Sequence, residues 1–253
     1  AVSYLNTKPL VYRLGEIAPY ADLSYDLPSR LADQLASGEL DVALIPSVEY
    51  FQNATYEIVS NACIGCRGPV LSVKLLTRVP FDRIRTLALD EGSRTSVALV
   101  RILLQQRFGL APQLEPLPIG AGVDDTTADA VLLIGDRAIL VPSGDFIAEW
   151  DLGDQWCRWS ELPFVFAMWV ARRDVDTTRL CSAFEQARDE GVAQLSAIAA
   201  QEAAAAGLGE RACLSYLRDN LHFYLGARER SGLELFRQHA VALGMVPIDA
   251  ACS

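Results

Sequence analysis

Short apolar runs alternate with helical patterns at the start of the chain. The runs "AVSYL", "LSYDL" and "LDVALIP" predict strands, and the last is apolar enough to be buried. Between them, Pro28 begins a stretch whose leucines recur on one helical face and which Gly38 ends. A second helix is predicted at "SVEYF", with Ser47 as its N-cap. Strands and helices joined by short links predict βαβ units and a parallel sheet, which binds ligands at the carboxyl ends of its strands.

Two long β-rich runs, residues 68–78 and 162–173, dominate the pattern further along the chain. Between them lie a strand at "RTLALD", a helix that begins near Ser93, and a strand that ends in Gly135 and Asp136. After the second run the pattern is wholly helical, with helices predicted over 176–200, 210–221 and 229–244.

The two long runs predict two connections between separate parts of the molecule. The simplest architecture is an α/β, bilobed, periplasmic-binding-protein-like (type II) fold, in which two crossing strands join two α/β lobes. Residues 1–78 and 165–253 are expected to form lobe I, with the C-terminal helices packed on it, and residues 79–164 to form lobe II. The substrate cleft is predicted between the lobes.

A polar cluster at residues 3–8 ends the first predicted strand. Ser3, Tyr4 and Asn6 supply hydroxyl groups and an amide there, and Ser47 follows the buried strand "LDVALIP". Because the carboxyl ends of parallel strands meet at one edge of a sheet, we expect these side chains to form one wall of the cleft.

Three hydroxyl groups crowd the helix that begins near Ser93. Ser93, Thr95 and Ser96 occupy its first turn, although capping needs only one of them. Hydroxyls, free backbone N–H groups and the helix dipole together suit a carboxylate or phosphate, and Arg94 adds a positive charge. The pattern therefore favours an anion site over a plain cap, while the Gly-x-x-x-x-Gly-Lys sequence of a nucleotide P-loop is absent.

Two further positions place polar groups beside predicted strands. Ser72 lies in the first crossing strand, where a serine side chain can equally bond to its own backbone. Gly135 and Asp136 follow a strand end, where a simple turn is the equal alternative to a binding role.

Composition and charge narrow the classes of partner. The 253 residues are 51% hydrophobic, which is enough for a sizeable core. A net charge of −10 excludes a nucleic-acid partner, because binding phosphates needs a basic face. No apolar run approaches the ~20 residues that span a bilayer, so no membrane partner is expected.

The six cysteines lack the spacing of a disulfide scaffold and favour reduced thiols in the cytoplasm. The lone "CIGC" has no second pair and no nearby histidines to complete a zinc site. It also precedes a loop and a strand rather than opening a helix, as a redox pair would. His222 and His239 both lie in the helical tail, so neither a metal site nor a Ser/His/Asp set is predicted.

Several motifs in the same order resemble the chorismate dehydratase family of the futalosine route to menaquinone. They are "SYLNTKPL", "DVALIPSVEY", "CIGCRGPVLSVKL", "LALDEGSRTSVALVRILL" and "LLIGDRA". The resemblance continues through "LPFVFAMWVAR" and "YLRDNLHFYLGARERSGLELF", so it covers nearly the whole chain. The Ser-Pro-Cys-Pro-Asn-type opening of a sister enzyme in that route is absent.

The resemblance implies a cytoplasmic enzyme with the bilobed fold and with no metal or organic cofactor. It implies that the substrate is chorismate, which loses water to give 3-[(1-carboxyvinyl)oxy]benzoate, and that Asn6 and Ser72 are catalytic. Neither an amide nor an unactivated serine is a strong base. The base therefore stays open between the substrate's own side-chain carboxylate, Asp136 and Glu49.

A non-catalytic solute-binding protein for a small carboxylate is the alternative, because this fold is commonest in that role. That alternative predicts an export leader, and the six thiols and the complete set of motifs argue against it. A ligand-sensing regulatory domain would need an attached helix-turn-helix, and none is visible. The pattern predicts no oligomeric state.

Overall fold

Two β-sheets organise the part of the chain that the computed structural model describes, residues 1–90, 92–118, 120–140 and 144–248. The strands are β1 (Val42–Pro46), β2 (Tyr56–Cys66), β3 (Val73–Thr77), β4 (Thr86–Asp90), β5 (Gln113–Leu117), β6 (Ala130–Ile134), β7 (Ala148–Asp151), β8 (Phe164–Arg172) and β9 (His222–Tyr224). The α-helices are α1 (Leu14–Ile17), α2 (Pro28–Ser37), α3 (Ser47–Tyr50), α4 (Arg94–Phe108), α5 (Asp136–Ile139), α6 (Leu152–Ser160), α7 (Thr178–Ala193), α8 (Leu195–Glu202), α9 (Glu210–Ser215) and α10 (Ala227–Ala242). Short 3-10 helices cover Leu5–Val11, Phe81–Arg83 and Val123–Asp125, and a π-helix covers Tyr216–Asn220.

The first sheet has the strand order β1-β8-β2-β9, and every neighbouring pair in it is antiparallel. The prediction of a parallel sheet from the first βαβ pattern is therefore wrong here. The reason is that β8 returns from the second sheet and inserts between β1 and β2, running against both. The local pattern of the first 60 residues contains no sign of that insertion.

The second sheet has the order β5-β4-β6-β3-β7. Here β4 is parallel to β5 and β6, as alternating strands and helices predict, while β3 is antiparallel to β6 and β7. The predicted boundary at residue 78 put β3 in lobe I, but β3 pairs only within the second sheet. The chain consequently leaves the first sheet after Cys66 and enters the second at Val73, and it returns between Ser160 and Phe164.

The two strands predicted at the N-terminus are absent. Val2 forms a single isolated bridge with Asp26, and the chain then turns into the 3-10 helix Leu5–Val11, which contains Pro9. A proline has no N–H to donate to a neighbouring strand, so the sequence after Tyr4 cannot extend a ladder. The polar cluster therefore lies at the start of a helical turn rather than at the end of a strand.

Helix α2 is confirmed where it was predicted. Pro28 occupies its first turn, Gly38 ends it with a φ of +85°, and Leu31 and Leu35 are completely buried. A proline suits the first turn because its missing N–H would have no helical partner there, and glycine adopts positive φ at no steric cost. Hydrophobic spacing and helix stop signals were sufficient at this position.

The helical tail is divided more finely than its pattern indicates. The stretch 176–200 forms α7 and α8 with a break at Gln194, and the stretch 210–221 forms α9 followed by the π-helix. Helix α7 packs on β2 and on the 3-10 helix Leu5–Val11, and α10 packs on β8. None of the helices within the described ranges combines the length and apolar character that crossing a bilayer requires.

Gly191 of α7 allows this helix to approach the 3-10 helix that carries Asn6. A Cβ atom at residue 191 would lie 2.0 Å from the carbonyl oxygen of Pro9, which is backbone and cannot rotate away. We therefore expect Gly191→Ala to lower the free energy of unfolding by ~1–3 kcal/mol through overpacking, measured by urea unfolding. In Gly15→Ala of α1, where no atom lies within 4 Å of the added Cβ, the better helix propensity of alanine should leave stability equal or higher. Equal stability of the two variants would contradict the close contact.

Candidate functional site

A cavity between the two sheets gathers most of the predicted site residues. The space between its atoms amounts to about 520 Å³, part of it open to solvent. Its polar lining consists of Tyr4, Asn6, Ser72, Ser93, Thr95 and Ser96. Its remaining lining is Val2, Pro28, Pro46, Ile64, Val70, Val73, Ile134, Gly135, Phe166 and Ala167. The polar groups come from three separate segments, which only the fold brings together.

Asn6 lies in the first turn of the 3-10 helix and is anchored through its neighbours. Thr7 Oγ1 donates a hydrogen bond of 3.3 Å to Asn6 Oδ1, and Leu5 N donates one of 3.3 Å to Asp136 Oδ1. Ser3, also predicted to bind substrate, is exposed and absent from the cavity lining. Its backbone N–H bonds to Asp26 O beside the isolated bridge, which turns residue 3 away from the cavity.

Ser72 lies at the end of the crossing segment, in a tight turn. Ser72 N donates to Val70 O at 2.8 Å, which closes a three-residue turn centred on Leu71, whose φ is +61°. Positive φ is uncommon for a bulky residue and stores strain. Asp151 stabilises the turn, because its carboxylate accepts hydrogen bonds from Val70 N (3.0 Å) and Leu71 N (2.7 Å).

The first turn of α4 presents its hydroxyls much as the sequence predicts. Ser93 is the N-cap: its Oγ accepts from Ser96 N at 3.2 Å and donates to Ser96 Oγ at 2.7 Å. The Ser96 hydroxyl accepts that bond, so its own proton remains able to bond a ligand. Thr95 is buried and its Oγ1 accepts from Val48 N at 3.2 Å, so it ties α4 to α3 across the two sheets.

Ser47 does not reach the cavity. It is the first residue of α3 rather than its N-cap, which is Pro46, and its side chain is completely buried. Its Oγ donates to Val165 O at 2.8 Å and lies 3.4 Å from Thr95 Oγ1. The hydroxyl of Ser47 therefore satisfies a buried carbonyl of β8, and its substrate-binding role stays a prediction.

Arg94 also points away from the cavity. Its guanidinium bonds Asp33 at 2.8 Å and Glu49 at 3.2 Å, and both Arg94 and Glu49 line a second cavity rather than this one. Glu49, a candidate base, is held in the same ion pair, and burial raises its pKa despite Arg94.

Gly135 and Asp136 join the cavity wall to the N-terminal segment. Gly135 has a φ of +69°, its N–H donates to Ser72 O at 2.9 Å, and a Cβ there would lie 3.1 Å from the ring of Tyr4. Both the backbone angle and this ring exclude a side chain at 135. Asp136 is not part of the lining; its carboxylate accepts from Leu5 N, and burial raises its pKa.

Tyr4 contributes a hydroxyl that stays protonated. Burial, together with the negative charge of Asp90, raises the pKa of Tyr4 to about 12. Asp90 is itself buried in an ion pair with Arg137. A protonated phenol at the cavity wall is a neutral hydrogen-bond donor, which suits an anionic ligand without adding a charge.

The apolar wall of the cavity was not foreseen. Ile64, Ile134 and Phe166 lie on three strands from both sheets and enclose the space between the polar groups. Ligand pockets commonly combine such a wall with a few placed polar groups. The period of two in β8 carries a signal for Phe166, but nothing in the local pattern shows which face of that strand meets the cavity.

The cysteines and histidines among the described residues lie outside this site. Cys63 and Cys66 are buried within β2 as free thiols; burial raises the pKa of Cys63, and the neighbouring Cys157 together with burial raises the pKa of Cys66. His222 contacts Glu229, and the ring of His239 lies tilted against that of Trp159. In the portion of the chain that is described, no three His, Cys, Asp or Glu side chains gather as metal ligands.

Comparisons with known proteins cover nearly the whole chain. Residues 1–242 match the family described as menaquinone biosynthesis. The chain is 32% identical over 239 residues to the chorismate dehydratase of Thermus thermophilus, covering 87% of this chain and 85% of that protein.

Two solved structures show the fold. A protein of Archaeoglobus fulgidus superimposes with a TM-score of 0.75 at 15% identity, over 97% of each chain. The periplasmic aliphatic sulphonate binding protein SsuA of Escherichia coli superimposes with a TM-score of 0.61 at 16% identity, over 96% of this chain and 91% of that one. The chain thus has the α/β fold of the periplasmic binding proteins, as the two bracketing β-rich runs predicted.

The raised pKa of Asp136 gives a test of its environment. Its ordinary value is 3.8, so between that pH and the raised folded value the folded protein holds a proton that the unfolded chain has released. Stability contributed by this group is therefore lost as the pH rises through that window. Asp136→Asn keeps an acceptor for Leu5 N without titrating, and we expect wild type to lose stability relative to it in urea unfolding as the pH rises above the ordinary pKa of 3.8. The exposed Asp22→Asn should show no such relative change, and a wild type that gains on Asp136→Asn with rising pH would contradict the assignment.

Proposed function

Because the chain belongs to the menaquinone biosynthesis family, we propose that it is a chorismate dehydratase, a hydro-lyase that converts chorismate into 3-[(1-carboxyvinyl)oxy]benzoate. The observation that carries the proposal is the meeting of Asn6 and Ser72 in one cavity with an apolar wall. The resemblance to the family implies that these two residues are catalytic. They are 66 positions apart and come together only in the fold.

The reaction asks little acid–base strength of the protein. The hydrogen at C3 of chorismate is activated through the conjugated ring carboxylate, and loss of the C4 hydroxyl completes an aromatic ring. The protein therefore needs to bind two carboxylates, align the C–H bond with a base, and stabilise the departing hydroxyl. A cavity lined by hydroxyls, an amide and apolar side chains fits those tasks.

One carboxylate would bind at the first turn of α4. Free backbone N–H groups, the helix dipole and the hydroxyl of Ser96 favour an anion there. Tyr4 adds a protonated hydroxyl at the same cavity. These donors are neutral, so the site attracts an anion locally although the whole protein carries a charge of −10.

Asn6 and Ser72 would orient the substrate and bond the leaving hydroxyl, because neither group is a strong base. Of the candidate bases, Glu49 is paired with Arg94 beside another cavity, and the carboxylate of Asp136 bonds Leu5 N. Neither side chain lines the site. This arrangement favours the substrate's own side-chain carboxylate as the group that removes the proton.

Closure of the two sheets over the substrate would exclude water from the reaction. Asn6 belongs to the N-terminal segment beside the first sheet, and Ser96 to a helix of the second sheet. A carboxylate held by α4 with the ring held near Asn6 contacts both sides at once. Substrate binding would in this way stabilise the closed arrangement.

Turnover tests the proposal directly. Purified protein with chorismate, and without added metal or nucleotide, should give a product lighter by one water with a benzoate-type ultraviolet spectrum, and EDTA should leave the rate unchanged. Asn6→Ala and Ser72→Ala should each lower kcat by ~10-fold or more with little change in Tm, because each removes a positioning contact. If the folded wild type binds chorismate but does not convert it, the proposed enzymatic activity is wrong and a solute-binding role is favoured.

Ser96→Ala tests the carboxylate site. Removing a hydrogen bond to a charged group costs about 1.5–3 kcal/mol, so we expect the dissociation constant of chorismate to rise by roughly 10- to 150-fold, measured by calorimetry with a slow variant such as Ser72→Ala as background. Ser231→Ala, on the exposed face of α10, is the matched control and should leave binding unchanged. If Ser96→Ala binds chorismate as tightly as the background protein, the first turn of α4 is only a helix cap and the proposed carboxylate site is wrong.

A further inference from the structure

Tyr216 holds a buried hydroxyl group that the proposed reaction has not used. The residue is 1% exposed, and its hydroxyl is one of three buried side-chain polar atoms without a hydrogen-bond partner among the described residues. A buried polar group that bonds neither protein nor water is unfavourable, and such groups are rare in folded proteins. An unpaired hydroxyl at this position calls for a reason other than stability.

The surroundings of this hydroxyl are the two residues assigned to turnover. Burial raises the pKa of Tyr216 strongly, while the side chains of Ser72 and Asn6 lie close enough to lower it in part. Neither contact meets the distance and angle of a formed hydrogen bond. The hydroxyl is therefore protonated and lies beside both side chains, and it is able to donate one hydrogen bond and to accept another.

The backbone at Tyr216 is unusual as well. Helix α9 ends at Ser215, and a π-helix begins at Tyr216 and runs to Asn220. π-helical turns are rare and are found mostly at functional sites, because the wider turn redirects the side chains that follow the normal helix. Leu217 and Leu221 are still buried in the core after this turn. The wider turn therefore changes the direction of the chain without exposing these apolar side chains.

Asn6 and Ser72 need such a neighbour, because the structure holds their side chains only weakly. Ser72 Oγ donates to Val70 O at 3.4 Å, and Asn6 Oδ1 accepts from Thr7 Oγ1 at 3.3 Å. Both distances lie beyond the usual range for a hydroxyl donor. A phenol hydroxyl can donate one hydrogen bond and accept another, which is sufficient to connect two side chains from different segments.

We propose that Tyr216 is a positioning residue, whose buried hydroxyl bridges Asn6 and Ser72 and fixes their orientation toward the substrate. The proposal rests on the proposed function for its kinetic effect, but not for its structural effect. The hydroxyl does not line the cavity, so it acts through its two neighbours rather than on the substrate. Three segments of the chain, from residues 6, 72 and 216, then form one hydrogen-bonded unit behind the reacting atoms.

Tyr216→Phe removes only the hydroxyl and is the first test. We expect kcat for chorismate to fall by ~10-fold or more, KM to change by less than ~3-fold, and Tm to change little, because the variant loses only the bonds of one hydroxyl group and keeps the buried ring. Tyr56→Phe is the matched control, a buried tyrosine at the start of β2, and should keep wild-type kcat. A lower Tm with unchanged kcat would show a merely structural hydroxyl and overturn the proposal.

A double variant separates positioning from an independent role. If Tyr216 acts through Ser72, then Tyr216→Phe in a Ser72→Ala background should lower kcat by less than ~2-fold further, because the unit is already broken. Multiplicative losses would show that the hydroxyl acts alone and would overturn the proposed bridge.

Crystal structures of wild type and Tyr216→Phe give a readout that does not depend on the reaction. In wild type the hydroxyl should lie at ~2.7–3.0 Å from an atom of Asn6 and from an atom of Ser72, and in the variant those side chains should shift or occupy more than one rotamer. Identical side-chain positions in both would overturn the bridge even if chorismate is converted. An intact bridge in a protein that leaves chorismate unchanged would instead overturn the proposed function alone.

Discussion

The carboxylate of Asp151 is the constraint on which the geometry of the cavity depends. It accepts hydrogen bonds from three backbone N–H groups, of Val70, Leu71 and Asp154, and so links the crossing segment to the start of α6. Burial nevertheless raises its pKa, so the desolvation of this acid outweighs the three donors that favour its charge. These hydrogen bonds hold the turn firmly enough to maintain the strained φ of Leu71. This turn also positions Ser72, whose carbonyl oxygen accepts a hydrogen bond from Gly135 N.

The polar groups that line the cavity are hydroxyls and an amide, while the arginines near it are engaged in ion pairs elsewhere. The guanidinium groups nearest to it are already paired, Arg94 with Asp33 and Glu49, and Arg137 with Asp90. Anion binding by neutral donors avoids the large desolvation cost of a buried free cation. It also makes recognition depend on the direction of each O–H and N–H bond, which favours a ligand of fixed shape over any ligand of equal charge.

Local signals in the sequence predicted what local physics decides. The proline and glycine that bound α2 were sufficient to place it, and the start of α4 near Ser93 was predicted because helix-start signals act on their own first turn. Arg94 and Ser47 bond other residues and lie outside the cavity lining, because the pattern shows that a residue is near a strand or helix end, but not which way it faces. The direction is set by tertiary partners from distant segments.

Two larger misses have the same origin. The first sheet became antiparallel because β8 enters between strands that precede it by a hundred residues, and no window of sequence contains that event. The π-helix that begins at Tyr216 was not predicted, because a hydrophobic period of 3.6 residues indicates only an ordinary α-helix. The resemblance to a family implied the catalytic roles of Asn6 and Ser72, whereas the residues alone placed Asn6 in a cleft wall and left Ser72 between a binding role and a local bond.

The arrangement of the strands also sets an order of assembly during synthesis. All five strands of the second sheet come from the continuous stretch 73–151, so that sheet can form as soon as this stretch has left the ribosome. The first sheet must wait for β8 and β9, and the N-terminal segment with Asn6 must wait for α7, which packs against it. Contacts between residues so distant in sequence form slowly. The segment that carries Asn6 precedes both sheets in the sequence but is thus among the last to be placed, and until then the growing chain has no complete site for its ligand.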